Sequence, residues 1–371
     1  MVLGDLVGGF GDRDLRFLGP ELQIHLHRFL KGKNGLTAQA RISDAPKRIF
    51  ILALAGIVLM LAALDREVAR LSWNTIPRWT MGRVRQSRGA QTIALGNSLM
   101  GVGFNEASFD AGLSAGMQQG SINLAMGGSS GVEQLLMLRY ALQQGLRPRT
   151  VVFGFFDFTL THPLEYSTRD LIGNRAMLYY MEPEYARRYY HLSPHDRAEF
   201  EIMRHFELFE DRGAVWERVE LFRRALAQQG MPPEKSDSMG RSVDFAMLEY
   251  PSAPEFIAEC GRASRNPLIP AIREIALQAE AAGANIYFVE MPMPPDHVHL
   301  FYDQPQWSAG YRAHLREMLG GIGAKYVDAS HWMPDENSFE DPLHLTYAGA
   351  QEFSRHLGEY LRGLESGETN H

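Results

Sequence analysis

The feature that most constrains the fold is an alternation of short apolar runs with helical patterns, which begins after Arg88. The apolar runs have the length and composition of buried strands. The predicted strands are Thr92–Leu95, Ser121–Ala125, Thr150–Gly154, Asn285–Met291 and Lys325–Asp328. The predicted helices are Val132–Gln144, Leu268–Ala282, Ser308–Leu319 and Tyr347–Leu361. Because this alternation is typical of a doubly wound parallel sheet with helices on both faces, the sequence predicts an α/β domain.

Composition and charge exclude several classes of protein. The 371 residues are 45% hydrophobic and 22% charged, which is typical of a globular chain with a core and excludes a disordered one. A formal charge of -7 argues against a general nucleic-acid surface. Since Cys260 is the only cysteine, neither an intrachain disulfide nor a cysteine-rich zinc module can form.

One segment, Ile49–Leu64, is more apolar than any other part of the chain and contains no charged residue. A membrane-spanning helix needs about 20 residues, and the long side chains of Lys47 and Arg48 can extend the shorter run by reaching the interface. A buried core helix is the alternative, but such a helix usually keeps one polar face. The sequence therefore predicts a single membrane anchor over residues 46–68, which is too far from Met1 for a cleaved signal peptide.

The flanks of this segment leave its orientation open. Six lysine or arginine residues lie on each side within a short distance, so the positive-inside rule favours neither orientation. Residues 1–45 are expected to form a tail with an amphipathic helix near Glu21–Leu30. The domain that follows, residues 69–371, is interrupted at about 159–266 by a charged, aromatic-rich stretch, which we interpret as a helical insertion and a candidate lid or acceptor-binding surface.

Three loops carry residues that could perform chemistry. Ser98 lies in the turn after the first strand, although a lone Gly-x-Ser is more often structural. Asp341 and His344 are three residues apart, so the carboxylate can orient the imidazole toward a nucleophile, whereas the alternative is a simple helix-start turn. Gly127 and Gly128 form a turn whose N–H groups could bind an oxyanion, or the segment could only cap the next helix.

Taken in order, these segments resemble the SGNH, or GDSL-type, superfamily of hydrolases and acyltransferases, over roughly Gln91–Leu361 without the insertion. The matching blocks are Gly96-Asn97-Ser98, Asn123 with Gly127-Gly128, Gly154-Phe155-Phe156-Asp157, Val289-Glu290-Met291-Pro292 and Asp341-x-x-His344. The resemblance implies a flavodoxin-like three-layer fold and no cofactor or metal. The implied roles are a nucleophile at Ser98, a base at His344, an orienting acid at Asp341, and oxyanion donors at the amides of Ser98 and of Gly127 or Gly128.

Two positions depart from the superfamily pattern. Asn97 replaces the usual aspartate of the first block, as it does in several membrane-linked branches that modify polysaccharides. Phe156 stands where the third block usually supplies an asparagine side chain to the oxyanion hole. Either other donors suffice, or another polar group substitutes, or catalysis is weakened or lost.

With the anchor, the layout resembles accessory acyltransferases that work beside membrane-bound O-acyltransferases. The resemblance implies transfer of an acyl group, commonly acetyl, from a donor through Ser98 to a hydroxyl of an exported or cell-surface polysaccharide, with the domain outside the cytoplasm. Two alternatives stay open: an esterase or deacetylase that uses water, and a catalytically silent polysaccharide-binding or scaffold subunit. The expected partners are this acceptor, the donor, a membrane-bound acyltransferase and the membrane, but no nucleic acid.

A separate histidine pair, His297 and His299, follows the fourth strand. A His-x-His pattern can bind zinc or iron, but no third ligand is evident from the spacing. We therefore favour substrate contact or a surface loop over a metal site.

Overall fold

A computed structural model describes residues 45–71, 76–87, 89–113, 120–162, 176–190, 192–206, 208 and 252–366. The chain forms two compact units, Met1–Ala63 and Leu64–His371. The amphipathic helix predicted at Glu21–Leu30 lies outside the described residues.

The second unit is built on a sheet whose elements alternate along the chain as predicted. The strands are β1 (Thr92–Gly96), β2 (Ser121–Asn123), β3 (Thr150–Phe155), β4 (Asn285–Glu290) and β5 (Lys325–Asp328). The helices are α1 (Ala45–Leu71), α2 (Ile76–Gln86), α3 (Ser98–Gly103), α4 (Glu106–Leu113), α5 (Gly131–Gln143), α6 (Ala176–Met181), α7 (Pro183–Tyr189), α8 (Pro194–His205), α9 (Ala253–Ala263), α10 (Pro270–Ala281), α11 (Arg312–Gly320) and α12 (Tyr347–Ser366). A helical turn, Pro295–His297, two π-helical turns, Val298–Tyr302 and Gln306–Tyr311, and a 3₁₀ turn, Glu336–Ser338, complete the described set.

The five strands are all parallel and lie in the order β2-β1-β3-β4-β5. This is the strand order of flavodoxin-like folds, so the predicted doubly wound α/β sheet is confirmed. The chain runs from β1 out to β2 and then returns to β3 on the other side of β1. Right-handed crossovers therefore place α4 and α5 on opposite faces of the sheet. The carboxyl ends of β1 and β3 form the crevice where such sheets bind ligands.

The strands are apolar because both faces of the sheet are covered. Every residue of β1 and β3 is buried, whereas β5, at an edge, buries only Val327. β2 is shorter than predicted and ends at Asn123, because the side chain of that residue turns to bond the backbone of α3 and its C-terminal cap. The other strand boundaries agree with the prediction within one residue.

One predicted helix has a different form at its start. The segment predicted as Ser308–Leu319 begins with a wider π-helical turn, Gln306–Tyr311, and becomes an α-helix only at Arg312. A second π-helical turn, Val298–Tyr302, precedes it. Between them, these turns bury Phe301, Tyr302, Trp307 and Tyr311 as one aromatic cluster.

Helix α1 contains the predicted anchor, residues 46–68, within its bounds. The stretch Lys47–Arg70 is long and apolar enough to cross a membrane. Its apolar side chains are exposed, among them Ile49, Leu52 and Met60. Within the described residues, the apolar run of this helix therefore lacks the protein partners that a core helix would have.

The described part of the insertion predicted at 159–266 is helical. Helices α6 and α7 pack beside α5, and Glu182 accepts a bidentate pair of hydrogen bonds from Arg139 on that helix. Tyr185 donates a hydrogen bond of 2.5 Å to Glu274 on α10. Arg139 lies in the second half of α5, which runs away from the carboxyl edge. Helices α6 and α7 therefore cover the side of the layer that α5 and α10 form. Residues 209–251 lie outside the described part of the chain.

Helices α4 and α12 form the opposite layer, where glycines bring the two backbones together. A Cβ atom on Gly358 would lie 2.4 Å from the carbonyl oxygen of Phe109, and one on Gly112 would lie 2.2 Å from that of Arg355. Real atoms do not approach so closely, so any side chain at these positions forces the two helices apart.

We expect Gly358→Ala to lower the free energy of unfolding by about 1–3 kcal/mol, because the added methyl group overpacks this contact. Thermal unfolding of the full chain in detergent measures the effect. Gly261→Ala is the matched control: it lies in helix α9 with no neighbouring atom within 4 Å, and replacement of an exposed helical glycine stabilises by up to about 1 kcal/mol. Equal stability of the two variants would contradict this account of the packing.

Candidate active site

Ser98 lies at the first position of α3, directly beyond the carboxyl end of β1. The side chain of Asn97 caps this helix by accepting a hydrogen bond of 3.1 Å from the N–H of Leu99. Gly96 has a φ of 145°, and a Cβ there would lie 2.7 Å from the carbonyl oxygen of Gly154. Only glycine fits this turn, and the turn leaves Ser98 partly exposed at the crevice.

The predicted oxyanion turn lies beside Ser98. A Cβ atom built on Gly127 would be 3.7 Å from the Cβ of Ser98, so the two backbones are neighbours. Gly128 follows with a left-handed φ of 62°. The predicted helix cap is also present, because Ser130 precedes α5 as its N-cap residue and its N–H donates to Glu133 at 2.6 Å. Capping and proximity to Ser98 therefore occur together.

Asn123 connects this turn to the helix that carries Ser98. Its amide nitrogen donates to the carbonyl oxygens of Met100, Gly101 and Phe104, each at 3.1 Å. Its side-chain oxygen accepts from the N–H of Ala125 at the same distance. The asparagine of the second block is thus a buried bridge that fixes the position of α3.

A second pair of polar side chains, missed by the sequence-based prediction, holds the backbone of Gly96. The N–H of Gly96 donates to Gln134 at 3.0 Å, and its carbonyl accepts from Ser129 at 3.2 Å. Gln134 in turn donates to Ser129 at 2.5 Å. The sequence signal for this arrangement was Gln134, a polar residue on an otherwise apolar face of α5.

Asp341 and His344 form the predicted pair in the loop before α12. The Nδ1 atom of His344 lies 2.8 Å from Oδ2 of Asp341, and Oδ1 accepts the N–H groups of Leu343 and His344 at 2.8 Å each. Burial by itself would raise the pKa of Asp341, but these three hydrogen bonds outweigh burial and lower the pKa below its usual value. An ionised Asp341 selects the tautomer in which Nδ1 carries the proton, which leaves Nε2 as the base.

The nucleophile and base candidates lie at the same side of the sheet. Helix α3 packs against α12, and a Cβ on Gly103 would be 3.5 Å from Leu345, the residue after His344. Among the described residues, no hydrogen bond joins Ser98 to His344. The structure therefore brings Asp341 to His344 and Gly127 to Ser98, while the contact that would complete a triad is not formed.

The third block places Phe156 and Asp157 against the interior of the protein. Phe156 packs against the core and its N–H donates to Thr159 at 3.3 Å. Asp157 is buried with a left-handed φ of 44°, where its carboxylate accepts from Tyr302 at 2.6 Å and lies 3.2 Å from Nε2 of His297. Burial raises the pKa of Tyr302, so its hydroxyl keeps the proton that it donates.

The two histidines of the His-x-His pattern therefore have different surroundings. His297 is buried against Asp157, and its Nδ1 has no hydrogen-bond partner within the described residues. His299 is exposed, 3.6 Å from Asp303. Because the first imidazole faces the interior and the second faces solvent, the pair does not converge on one ion.

A surface group, His195, Asp196 and Glu199, has the spacing of metal ligands, but exposed acidic groups commonly have this spacing without a metal.

A buried ion pair also lies at the carboxyl end of β4, where the sequence-based prediction assigned no charge interaction. Glu290 is fully buried and accepts from Nε and Nη2 of Arg312 at 2.9 and 3.0 Å. Burial raises the pKa of Glu290, and the guanidinium opposes that shift. Asp328 binds the same arginine at 2.9 Å. This network ties β4, β5 and α11 together at the carboxyl ends of the two strands.

Comparisons with known proteins found distant similarities. One family profile, which has no descriptive name, matches residues 269–364, about a quarter of the chain. No curated protein matches the sequence. A solved structure assigned as an acylhydrolase from Bacteroides fragilis is similar at 12% identity and a TM-score of 0.35, covering 76% of this chain and 94% of that one. TesA is similar at 10% identity and a TM-score of 0.33, covering 73% and 97%. The fold assignment rests on strand order rather than on these distant similarities.

We expect Asp341→Asn to destabilise the protein in a pH-dependent manner. The pKa of Asp341 is lower in the folded than in the unfolded chain, so its ionised form stabilises the fold above the ordinary carboxyl pKa of about 4. That contribution is lost as the pH falls through the lowered value. The difference in unfolding free energy between wild type and variant should therefore shrink toward acid pH.

Urea unfolding of the full chain in detergent at a series of pH values measures this difference. Asp296→Asn is the matched control, because Asp296 is exposed and has no hydrogen bond from its side chain among the described residues. A difference for Asp341→Asn that stays constant down to acid pH would show that its carboxylate is not held in this way.

Proposed function

We propose that this protein is an SGNH-type serine acyltransferase that is anchored in a membrane. The single observation that carries the proposal is the Asp341–His344 pair, hydrogen-bonded at 2.8 Å, in the loop next to the helix that begins with Ser98. A carboxylate that orients an imidazole beside a serine in the crevice of a parallel sheet is the arrangement that nucleophilic acyl transfer needs.

In the proposed first step, Ser98 Oγ attacks the carbonyl carbon of the acyl donor while Nε2 of His344 takes the hydroxyl proton. The developing oxyanion would be bound by the backbone N–H groups of Ser98 and of Gly127 or Gly128. Collapse of the tetrahedral intermediate breaks the bond to the donor's leaving group, which receives the proton from His344. The product of this step is an acyl ester on Ser98.

In the second step, an acceptor hydroxyl gives its proton to His344 and attacks the acyl ester. Collapse of this intermediate returns the proton to Ser98 and releases the acylated acceptor. For the reaction to proceed, Ser98 and His344 must come within hydrogen-bonding distance, which requires a change of side-chain rotamer or of the loop that carries His344. Hydrogen bonds of this kind often tighten only when substrate is bound.

The acceptor we propose is a hydroxyl group of an exported or cell-surface polysaccharide, and the acyl group is acetyl. The support is the exposed apolar helix within Lys47–Arg70 together with the layout shared with accessory acyltransferases. Such a protein would place its domain outside the cytoplasm and receive acyl groups with the help of a membrane-bound O-acyltransferase.

Two other functions have an observation in their favour. An esterase or deacetylase would use the same three residues with water as acceptor, and the open position of His344 favours access of water. A catalytically silent polysaccharide-binding or scaffold subunit is favoured by Phe156, which supplies no donor where the superfamily has an asparagine. The presence of Ser98, Asp341 and His344 favours an enzyme over a silent subunit. The exposed apolar helix, together with the layout shared with accessory acyltransferases, favours transfer over hydrolysis.

We expect a serine-directed phosphonate to label the full chain at Ser98 and nowhere else. Ser98→Ala should abolish labelling, and Ser98→Ala and His344→Ala should each lower acylation of the glycan at least about 1000-fold, because each removes a member of the reacting pair. Mass spectrometry locates the label, and release of the acyl group from the glycan measures the second effect. Ser308→Ala, an exposed serine outside the crevice, should behave as wild type.

The same experiment separates the alternatives. If the acyl-enzyme forms but partitions to water even at high glycan concentration, the protein is an esterase. If Ser98 is not labelled and cells that carry Ser98→Ala keep normal glycan acylation while deletion abolishes it, the scaffold function is correct and the acyltransferase proposal is wrong.

A topology reporter tests the proposed location. Alkaline phosphatase fused after His371 should be active, because alkaline phosphatase folds only outside the cytoplasm. A fluorescent reporter that folds only in the cytoplasm should be dark when it is fused at the same place. The reverse pattern would place the domain in the cytoplasm.

A further inference from the structure

We propose that a basic cavity beside helix α2 binds the phosphate group of an anionic phospholipid. The cavity has a volume of about 410 Å³ and lies between α2 and the last turns of α1. Its lining includes Ala69, Arg78, Trp79, Arg83 and Arg85. This proposal does not depend on the acyltransferase activity.

The cavity carries positive charge although the protein as a whole has a formal charge of -7. The guanidinium of Arg83 is paired with the carboxylate of Glu106 and also donates to the carbonyl of Asn123 at 3.0 Å. Arg85 is exposed, and within the described residues its hydrogen-bond partner is the neutral hydroxyl of Tyr140, at 3.3 Å. The charge of Arg85 is therefore available to an anion.

The chemistry of the lining favours a phosphate over other anions. Guanidinium groups present paired N–H donors that match phosphate oxygens, and they are more weakly hydrated than an ammonium group. Trp79 is 49% exposed, and the guanidinium of Arg83 lies 5.1 Å from the centre of its ring. An exposed indole beside arginine is typical of the membrane–water interface, where the ring contacts lipid and the N–H contacts headgroups.

The position of the cavity along the chain selects a lipid as the source of that phosphate. Ala69 follows Leu64, the last residue of the apolar run, by five positions of one continuous helix, which is about 8 Å at 1.5 Å per residue. The headgroup layer extends about 5–8 Å beyond each side of the hydrocarbon core. If the apolar run lies in the hydrocarbon, the cavity lies at headgroup depth.

Two contacts hold the end of α1 to the rest of the second unit. Val68 is buried with only 4% of its surface exposed. Asp65 accepts a hydrogen bond of 2.7 Å from the N–H of Leu208. A lipid phosphate bound between α1 and α2 would add to this attachment and so set the distance of the domain from the membrane.

The experiment measures lipid retained by the full chain in mixed detergent micelles, by native mass spectrometry. Phosphatidylglycerol should be retained in preference to phosphatidylcholine, and Arg85→Gln should weaken retention of phosphatidylglycerol about fivefold, the equivalent of roughly 1 kcal/mol for one arginine near a surface. Arg85→Lys should keep most of the retention, because the charge remains.

Two control variants distinguish a binding role from a structural one. Tyr140→Phe removes the hydrogen bond to Arg85 but keeps the charge, so lipid retention should not change. Arg273→Gln removes an exposed arginine from α10, outside the cavity, and should also leave retention unchanged. Thermal unfolding of each variant checks that it is folded.

Three results would overturn the proposal. Equal retention of the two lipids would show that the cavity does not recognise the anionic headgroup. An equal loss in Arg273→Gln would show only a general effect of net charge. Displacement of phosphatidylglycerol by inorganic phosphate at the same concentration would show that a free anion, rather than a lipid, is the ligand.

Discussion

The structure depends on the close pairing of β1 with β3 at Gly96 and Gly154. A side chain at either position would collide with Met100, and at Gly96 also with the carbonyl of Gly154. Two glycines opposite each other let α3 begin immediately at the sheet edge, so that Ser98 emerges where the strand order reverses. In a doubly wound sheet this is the point where loops from neighbouring strands diverge and leave a crevice.

Around this crevice, buried polar side chains form hydrogen bonds with the backbone, which apolar side chains cannot form. Asn123 fixes the end of α3, while Gln134 and Ser129 hold the backbone of Gly96. Each of these side chains satisfies backbone groups that would otherwise be buried without partners, which costs about 1–3 kcal/mol per group. The result is a rigid frame for Ser98, whereas His344 is carried by a more exposed loop. The proposed site therefore combines a serine on a firmly held turn with a histidine on a partly exposed loop.

The elements of the fold could be predicted because their signals are local. Apolar runs of strand length, helical periodicity and the apolar stretch of α1 depend on residues close in sequence. The pairing of Asp341 with His344 could also be predicted, since three positions separate them. Less was predictable where the backbone departs from regular geometry: the π-helical turns at Val298–Tyr302 and Gln306–Tyr311 follow the packing of aromatic rings, which no short sequence window records.

By itself, then, the sequence determined the α/β class, the order of strands and helices, the apolar helix and the candidate residues Ser98, Asp341 and His344. Only the tertiary structure decided which distant side chains meet. Asp157 contacts His297 and Tyr302 across about 140 positions, and Glu290 finds Arg312 on a different element. The physical reason is that a buried polar group needs a hydrogen-bond partner. The packing of the whole domain decides which residue is near enough to be that partner.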